Sequence, residues 1–221
     1  MRKTLFPVMA IGAAGLLTVT ASLVAAQGTT VPASVTETAK YVTDRLTTEL
    51  KLTPEQIPKV QAINEKSTAE LEKSIEKFAA DTSAASDAAL VQALVMTSQS
   101  NTAQLKTVLT PEQFAMHQRN RADRLALNQT EIMTYTLDLS RSQILAVERI
   151  NSQSAPRILA AVEAPAGTTR TREQMLDSGR PAMDARDKEL EKVLTAAQMN
   201  TLKANRRALR DLFLRQVAAP K

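Results

Sequence analysis

Few residues in this sequence could carry out catalysis. The 221-residue chain has no cysteine and one histidine, His117, so a Cys–His pair or a Ser–His–Asp triad lacks its parts. No His or Cys residues recur at metal-ligand spacing, and the five scattered glycines form no phosphate-binding loop. His117 stands beside Arg119 and Arg121 in a predicted helix, which indicates a surface residue rather than a base. We therefore expect no enzymatic activity, no metal and no cofactor.

One polar pattern does recur, and its chemistry is hydrogen bonding. The pattern Leu-(Thr/Ser)-x-x-Gln occurs four times. A Thr or Ser just before a helix accepts a bond from a first-turn N–H, and the Gln three residues later accepts one from the N-cap N–H, which together form a capping box. The preceding Leu can pack on an apolar residue in the next turn as a hydrophobic staple. The copies are Leu52, Thr53 and Gln56; Leu109, Thr110 and Gln113; Leu139, Ser140 and Gln143; and Leu194, Thr195 and Gln198.

The spacing of the four copies alternates, which indicates an internal duplication. The intervals from Thr53 to Thr110 and from Ser140 to Thr195 are long and nearly equal, whereas the interval between those two pairs is about half as long. Flanking residues repeat as well, since Ile63-Asn64 matches Ile150-Asn151 at an offset of 87. A period of this length in two copies differs from a solenoid array. The sequence thus predicts two helical units, unit 1 (36–125) and unit 2 (126–217), packed together as one domain.

The composition favours helices throughout. Aromatic residues make up only 3% of the chain, too few for a typical sheet-built core, whereas Ala, Leu, Gln, Glu, Lys and Arg dominate. The apolar periodicity predicts helices over about 35–50, 53–79, 88–108, 110–135, 140–162 and 195–217, loops at 80–87 and 164–171, and a break or kink at 178–181 before a helix that ends at 193. Such long helices with thin apolar stripes bury little core per residue. We expect an all-α fold of duplicated long helical hairpins in a thin, extended and curved bundle.

The N-terminal segment 1–26 has the pattern of a secretory signal. Arg2 and Lys3 precede an uncharged apolar run over 5–24, and small residues lead up to Ala26 and Gln27. We expect cleavage between Ala26 and Gln27, release into the periplasm and no stable membrane insertion afterwards. The absence of cysteine fits a periplasmic protein better than a disulfide-stabilised secreted one. The alternative is an uncleaved anchor, because about 20 apolar residues can span a bilayer.

Basic residues cluster after the second motif of each unit. We expect them to form a surface that attracts anionic or partly unfolded polypeptide, because long-range attraction speeds capture and arginine stems add apolar contact. The alternative is a cationic face that only meets solvent. Nucleic acid is not an expected partner of an exported protein with so few stacking aromatic residues. The candidate client-binding residues are Arg119, Arg121 and Arg124 in unit 1, and Lys203, Arg206, Arg207 and Arg210 in unit 2.

The paired motifs resemble those of the Spy/CpxP group of periplasmic chaperones. The similarity is closest at Leu50–Gln56 and at Val108–Gln113, and the pattern extends over most of the chain after the signal. The resemblance implies thin, curved homodimers of helical hairpins that bind unfolding proteins on a concave, basic and partly apolar face without ATP. Since this chain holds two units, it implies either a monomer that mimics the dimer or a homodimer. The family's client-binding residues do not align with this sequence, so the basic candidates rest on this chain alone.

Three functional hypotheses follow. The first is an ATP-independent periplasmic chaperone that binds unfolded or misfolding envelope proteins and suppresses their aggregation under stress. The second is a sensor or adaptor that docks on one dedicated envelope partner, such as the periplasmic domain of a signalling kinase. The third is a structural envelope protein that an uncleaved signal tethers to the membrane.

Overall fold

The computed structural model describes residues 35–79, 84–162 and 172–205, which are helical except for short turns and contain no strand. The helices with both ends inside these ranges are α1 (Val35–Leu50), α2 (Ile57–Ala79), α3 (Ala84–Val108), α4 (Pro111–Leu137), α5 (Arg141–Val162) and α6 (Arg172–Leu190). A further helical segment, α7, covers 196–205. The all-α prediction is confirmed. The predicted signal at 1–26 and the predicted loop at 164–171 lie outside the described residues.

Two of the predicted interruptions are wrong in detail. Helix α3 begins at Ala84, inside the predicted loop at 80–87. Helix α6 runs through Pro181, although the sequence predicts a break or kink there. Pro181 lies on the exposed side of α6, where water can bond to the carbonyl that the missing N–H leaves free. Helix α6 is also held to α5 near this point, since the Ser178 hydroxyl donates to the Ala161 carbonyl at 2.7 Å.

Consecutive helices pack against each other along the chain. The main contacts join α1 to α2 and α2 to α3, then α4 to α5 and α5 to α6. Helix α4 has 27 residues, a length of about 40 Å at 1.5 Å per residue, and it runs without a break, as predicted. It also contacts α1 and α3. Its first part completes unit 1 and its second part begins unit 2. No helix within the described ranges is both long and apolar enough to cross a membrane.

The cores of the two units use equivalent positions. In unit 1 the buried cluster consists of Val42, Leu46, Leu50, Leu52, Val60, Leu105 and Leu109. In unit 2 it consists of Met133, Leu137, Leu139, Val147, Ile150, Leu190, Leu194, Met199 and Leu202. All four motif leucines are therefore buried, and the apolar residues in the turn after each motif, on which a staple leucine packs, lie in or against the same clusters. These residues are Ile57, Phe114, Ile144 and Met199. A third cluster joins α4 to α5 and α6 around Leu125 and Ile158.

The turn before the first motif has the same form in both units. Lys51 and Asp138 adopt left-handed backbone angles, with φ of 52° and 48°, and they occupy equivalent positions at an offset of 87. In unit 1 the Leu52 N–H bonds to the Thr47 carbonyl at 3.2 Å, which is the long bond of a Schellman helix end. Each turn thus ends one helix and brings the next motif directly beside it.

Candidate functional site

The glutamines of the two motifs in unit 1 face each other and exchange hydrogen bonds. Gln56 Nε2 donates to Gln113 Oε1 at 2.8 Å, and Gln113 Nε2 donates to Gln56 Oε1 at 3.1 Å. Gln56 Nε2 also reaches the Val108 carbonyl at 2.9 Å, and Gln113 Nε2 reaches the Leu50 carbonyl at 3.2 Å. Those carbonyls end α3 and α1, where the helix itself provides no donor. This amide pair, the Gln clasp, ties two helix ends to two helix starts.

Unit 2 contains a second Gln clasp with the same connections. Gln143 Nε2 donates to Gln198 Oε1 at 2.9 Å, and the reverse bond measures 3.3 Å. Gln143 Nε2 also donates to the Val193 carbonyl, and Gln198 Nε2 to the Leu137 carbonyl, each at 3.1 Å. The first motif thus pairs with the second and the third with the fourth, which accounts physically for the alternating spacing.

Three of the four motifs also form a complete capping box. The Thr110 N–H donates to Gln113 Oε1 at 2.9 Å, and the Gln113 N–H donates to the Thr110 hydroxyl at 3.2 Å. The motifs that begin with Ser140 and Thr195 make the same two bonds. Each motif Gln therefore uses Oε1 for its own cap and for the opposite amide. One side chain serves both a local and a long-range contact.

The first motif begins its helix differently. The Thr53 N–H donates to Gln56 Oε1 at 3.0 Å, but the Gln56 N–H bonds to the Thr53 carbonyl, also at 3.0 Å. This tighter first turn resembles a 3₁₀ turn. A hydrogen bond with the Thr53 side chain is the main cause that lowers the pKa of Glu55. In the second motif, a backbone hydrogen bond and then the Thr110 side chain lower the pKa of Glu112.

A buried polar pair crosses the interior of unit 1. Asn64 Nδ2 donates to the Thr43 hydroxyl at 2.9 Å, and that hydroxyl donates to the Ala39 carbonyl at 2.8 Å. Asn101 Nδ2 then donates to Asn64 Oδ1 at 3.3 Å. Both ends of the Asn64 amide thus have partners, so burial does not leave a polar group unsatisfied.

Unit 2 repeats this Asn–Thr pair but has no equivalent of the hydrogen bond from Asn101. Asn151 Nδ2 donates to the Thr130 hydroxyl at 3.0 Å, and that hydroxyl donates to the Ala126 carbonyl at 2.9 Å. Asn151 Oδ1 is buried and has no hydrogen-bond partner. The repeated Ile-Asn dipeptide in the sequence thus marks an interior contact of the duplicated fold, not an exposed site.

Two linked substitutions explain why the interior of unit 2 differs. At an offset of 85, the position of Asn101 is occupied by Arg186, whose exposed fraction is only 3%. Arg186 Nη1 donates to Gln129 Oε1 at 2.9 Å. Gln129 itself stands where unit 1 has Val42, at an offset of 87. The buried guanidinium of Arg186 is therefore paired with a buried acceptor, the amide oxygen of Gln129.

The prediction that His117 is a surface residue is wrong. Its exposed fraction is 6%, and its Nδ1 is buried without a hydrogen-bond partner. Burial, followed by the nearby charges of Arg121, Arg124 and Arg45, lowers its pKa from 6.5 to about 3. At an offset of 85 the equivalent residue is Leu202, which is also buried. His117 thus occupies a core position as a neutral side chain.

The candidate basic residues of unit 1 do not share one exposed face. Arg119 is exposed, but Arg121 is buried and donates to the Thr102 hydroxyl at 3.3 Å. Arg124 is partly buried, and its Nη1 donates to both carboxylate oxygens of Glu49 at 3.1 Å. The expected exposed surface is therefore wrong for Arg121, because its guanidinium is used inside the fold. Arg124 joins α4 to α1 through an ion pair.

The candidates of unit 2 fall largely beyond the described ranges. Lys203 is exposed on α7, and its Nζ lies 3.4 Å from a carboxylate oxygen of Glu191. Arg206, Arg207 and Arg210 lie outside the described residues. Client binding by the basic candidates stays a prediction.

An exposed row of arginines, which the sequence analysis missed, crosses the outer face of α5. Arg141, Arg149 and Arg157 are all exposed, and within the described ranges none of their side chains has a hydrogen bond or ion pair. Leu145 lies between the first two with an exposed fraction of 62%. We call these four residues the arginine ridge. Its signal in the sequence is that no Asp or Glu of α5 stands three or four residues from any of the three arginines.

Large apolar side chains are also exposed on α4, the helix before the ridge. The exposed fraction is 54% for Leu127 and 84% for Tyr135, and Met116 is exposed on the same helix. Single exposed apolar residues are common on protein surfaces. Here three of them are exposed along α4, and Leu145 is exposed on α5.

Comparison with known protein families gives a match for only part of the chain. Residues 25–117 match a family model described as a domain of unknown function, DUF4890. The matched range contains α1 to α3, the first two motifs and the start of α4. No curated protein and no solved structure matches the chain.

Proposed function

We propose that this protein is an ATP-independent periplasmic chaperone that binds unfolded or misfolding envelope proteins and suppresses their aggregation under stress. The paired motifs and the signal-like segment 1–26 support this proposal through the resemblance to the Spy/CpxP group. The observation that carries it is the outer surface of α4 and α5. That surface combines exposed apolar side chains with arginines that have no partner in the described structure.

Such a surface suits a partner without a fixed structure. Unfolded chains expose apolar side chains and charges together, and they can meet both kinds of group on α4 and α5. Apolar contact supplies non-directional attraction, while the arginines provide long-range attraction and flexible stems. Many weak contacts of this kind allow capture and release without nucleotide hydrolysis.

The interior of the protein supports the same proposal. Two Gln clasps and two buried Asn–Thr pairs hold the helices without any disulfide. A chaperone that works while other proteins unfold must itself stay folded. The clasp glutamines are partly buried and are separate from the exposed residues of α4 and α5, so that surface can vary without loss of the scaffold.

Light scattering from a model client that is unfolding tests the proposal. Without ATP, the purified protein should suppress aggregation at a near-stoichiometric ratio. Replacing Leu127, Tyr135 and Leu145 by Ser should weaken suppression, whereas the same change at the exposed unit 1 residues Tyr41 and Met96 should not. No suppression of several clients at several-fold excess would overturn the proposal. A single stable partner in a pull-down would then favour the dedicated sensor or adaptor.

The proposed location has its own test. The mass of the protein recovered from a periplasmic fraction should correspond to a chain that begins at Gln27. A mass that includes the segment 1–26, found in the membrane fraction, would instead favour the tethered envelope protein.

A further inference from the structure

We propose that the arginine ridge of α5 binds extended client segments in which an acidic, an apolar and another acidic residue alternate with spacer residues. This inference rests on the proposed chaperone function and specifies the clients it prefers. It concerns a surface of described residues, all of them exposed and free of internal charge partners.

The geometry of the ridge sets the pattern of the ligand. Arg141, Leu145 and Arg149 follow one another at intervals of four residues, which is a rise of about 6 Å per step in a helix. Two residues of an extended chain span about 6.6 Å, and side chains two apart point to the same face. An extended segment of the form acidic–x–apolar–x–acidic therefore places its same-face side chains over these three residues in order.

Arg157 adds positive charge beyond the end of this match. It follows Arg149 by eight residues, about 12 Å along the helix axis and about 80° around it. Rows with four-residue spacing run obliquely across a helix surface, so the bound segment crosses α5 at an angle and leaves the helix before Arg157. The match is therefore the five-residue segment over Arg141, Leu145 and Arg149, and Arg157 attracts acidic residues that follow it through longer-range charge.

The charge balance of α5 favours an acidic ligand. Its charged residues are three arginines and Glu148, the neighbour of Arg149. Glu148 points about 100° away from Arg149 around the helix, so it does not pair with that arginine, and three arginines against one glutamate leave α5 with a net positive charge. At an offset of 87, unit 1 has Pro54, Pro58, Ala62 and Glu70 in place of the four ridge residues. The ridge is thus a property of unit 2 that the duplicated framework does not require.

Peptide binding to the full-length protein tests the inference. The probe is a fluorescein-labelled peptide ESLSESSSE, and the comparison peptide SSEEELSSS has the same composition in another order. Fluorescence anisotropy at low salt should show tighter binding of the first peptide. Replacing Arg141, Arg149 and Arg157 by Gln should weaken that binding about tenfold, given the modest contribution of each exposed ion pair.

A matched variant separates the ridge from net charge. Replacing the exposed Lys59, Lys66 and Lys73 of α2 by Gln removes the same charge from unit 1 and should change the affinity less than twofold. Equal loss in both variants, or equal binding of the two peptides, would overturn the ridge as a specific site. Client aggregation measured in parallel distinguishes the two proposals. If the protein suppresses aggregation but the ridge variant binds the peptide as tightly as the wild type, only this inference is overturned. If the peptide binds at the ridge but the protein does not suppress aggregation, only the proposed chaperone function is overturned.

Discussion

Unit 1 and unit 2 share the contacts that define the fold and differ at particular buried and exposed positions around them. Each has a Gln clasp, a buried Asn–Thr pair and a left-handed residue at the same turn. These contacts satisfy helix ends and cross between helices, so a mutation in one partner leaves the other unsatisfied. The comparison teaches that the helical framework is preserved by reciprocal polar contacts together with equivalent apolar core positions, while single buried positions and the surface differ.

The differences follow a pattern too. Unit 1 has an ionisable residue, His117, where unit 2 has Leu202, and unit 2 has the buried pair Arg186 and Gln129. On the surface, only unit 2 has the arginine ridge. The exposed arginine row thus belongs to unit 2, and the buried histidine belongs to unit 1.

Loss of a clasp glutamine should have the largest effect and should be the same in both units. Gln56→Ala and Gln143→Ala each leave a helix-end carbonyl, a cap N–H and the opposite amide without their partner. We expect each variant to lower the free energy of unfolding by about 3 kcal/mol, measured by urea denaturation. Gln61→Ala is the control, because its amide bonds only to Glu65 within α2 and its loss should cost under about 0.5 kcal/mol. A large difference between the two clasp variants would contradict their equivalence.

The loss of folding stability at acidic pH should arise in unit 1, from His117. Its pKa in the folded protein, about 3, lies below the value of 6.5 for an exposed histidine. The unfolded chain therefore takes up a proton first as the pH falls, and stability is lost from about pH 6.5 downward. Between pH 7 and pH 5 this loss should reach about 2 kcal/mol. Thermal or urea unfolding of His117→Leu should show a pH dependence smaller by that amount.

The reciprocal change controls for the carboxylates that also titrate in this range. Leu202→His places a buried histidine at the equivalent position of unit 2, and its stability should fall more steeply with acid than that of the wild type. A histidine variant at the exposed Leu127 should leave the profile unchanged. An unaltered profile in His117→Leu would show that the acid response lies elsewhere.

The Asn–Thr pairs should differ by a smaller amount. Asn64 Oδ1 accepts a hydrogen bond from Asn101, whereas Asn151 Oδ1 has no partner. The second bond of Asn151 is a long one, from Nδ2 to Met133 Sδ at 4.0 Å. Asn64→Ala should therefore cost about 1 kcal/mol more than Asn151→Ala, the typical net value of one buried bond. Urea denaturation of both variants at neutral pH measures the difference. An equal cost would mean that the contact with Asn101 adds nothing to stability.

The smallest effect should come from the ion pair between α4 and α1. Arg124→Gln removes the contact with Glu49, whose side chain is one quarter exposed. Solvent screens such a pair, so we expect a loss of about 0.5 kcal/mol that shrinks further in high salt. Arg119→Gln, at an exposed residue of the same helix, is the control. A loss of equal size in the control would remove the ion pair as the cause.

The sequence predicted the parts of this fold that depend on local chemistry. Helix starts at Thr110 and Ser140 follow from capping, which involves only neighbouring residues. The unbroken α4 follows from the lack of any stop signal. The Gln clasps could not be predicted from the sequence. Nothing in a single motif shows that the side-chain NH₂ of its Gln will bond to the Gln of a distant motif. Such a contact belongs to the packed structure rather than to the local sequence.

The errors about His117 and Arg121 have a common physical cause. Residue type alone assigned both to the surface, but packing provided a core position for one and polar partners for the other. The duplication contained a usable signal for His117, since its equivalent is the apolar Leu202. For the arginine ridge, the signal was the absence of acidic neighbours at helical spacing. The first signal becomes visible when the two units are aligned position by position, and the second when the charges of α5 are read at helical spacing.

Helix α4 makes the two copies inseparable as pieces of chain. Both clasps depend on it, since Gln113 lies near its start and the Leu137 carbonyl lies at its end. If the chain were cut between these two residues, one unit would lose the part of α4 that packs against its core. An inserted residue would do something different, because it would turn one copy by about 100° about the helix axis relative to the other. The length of α4 therefore sets the phase between the two copies, and with it the direction in which the exposed side of each one faces.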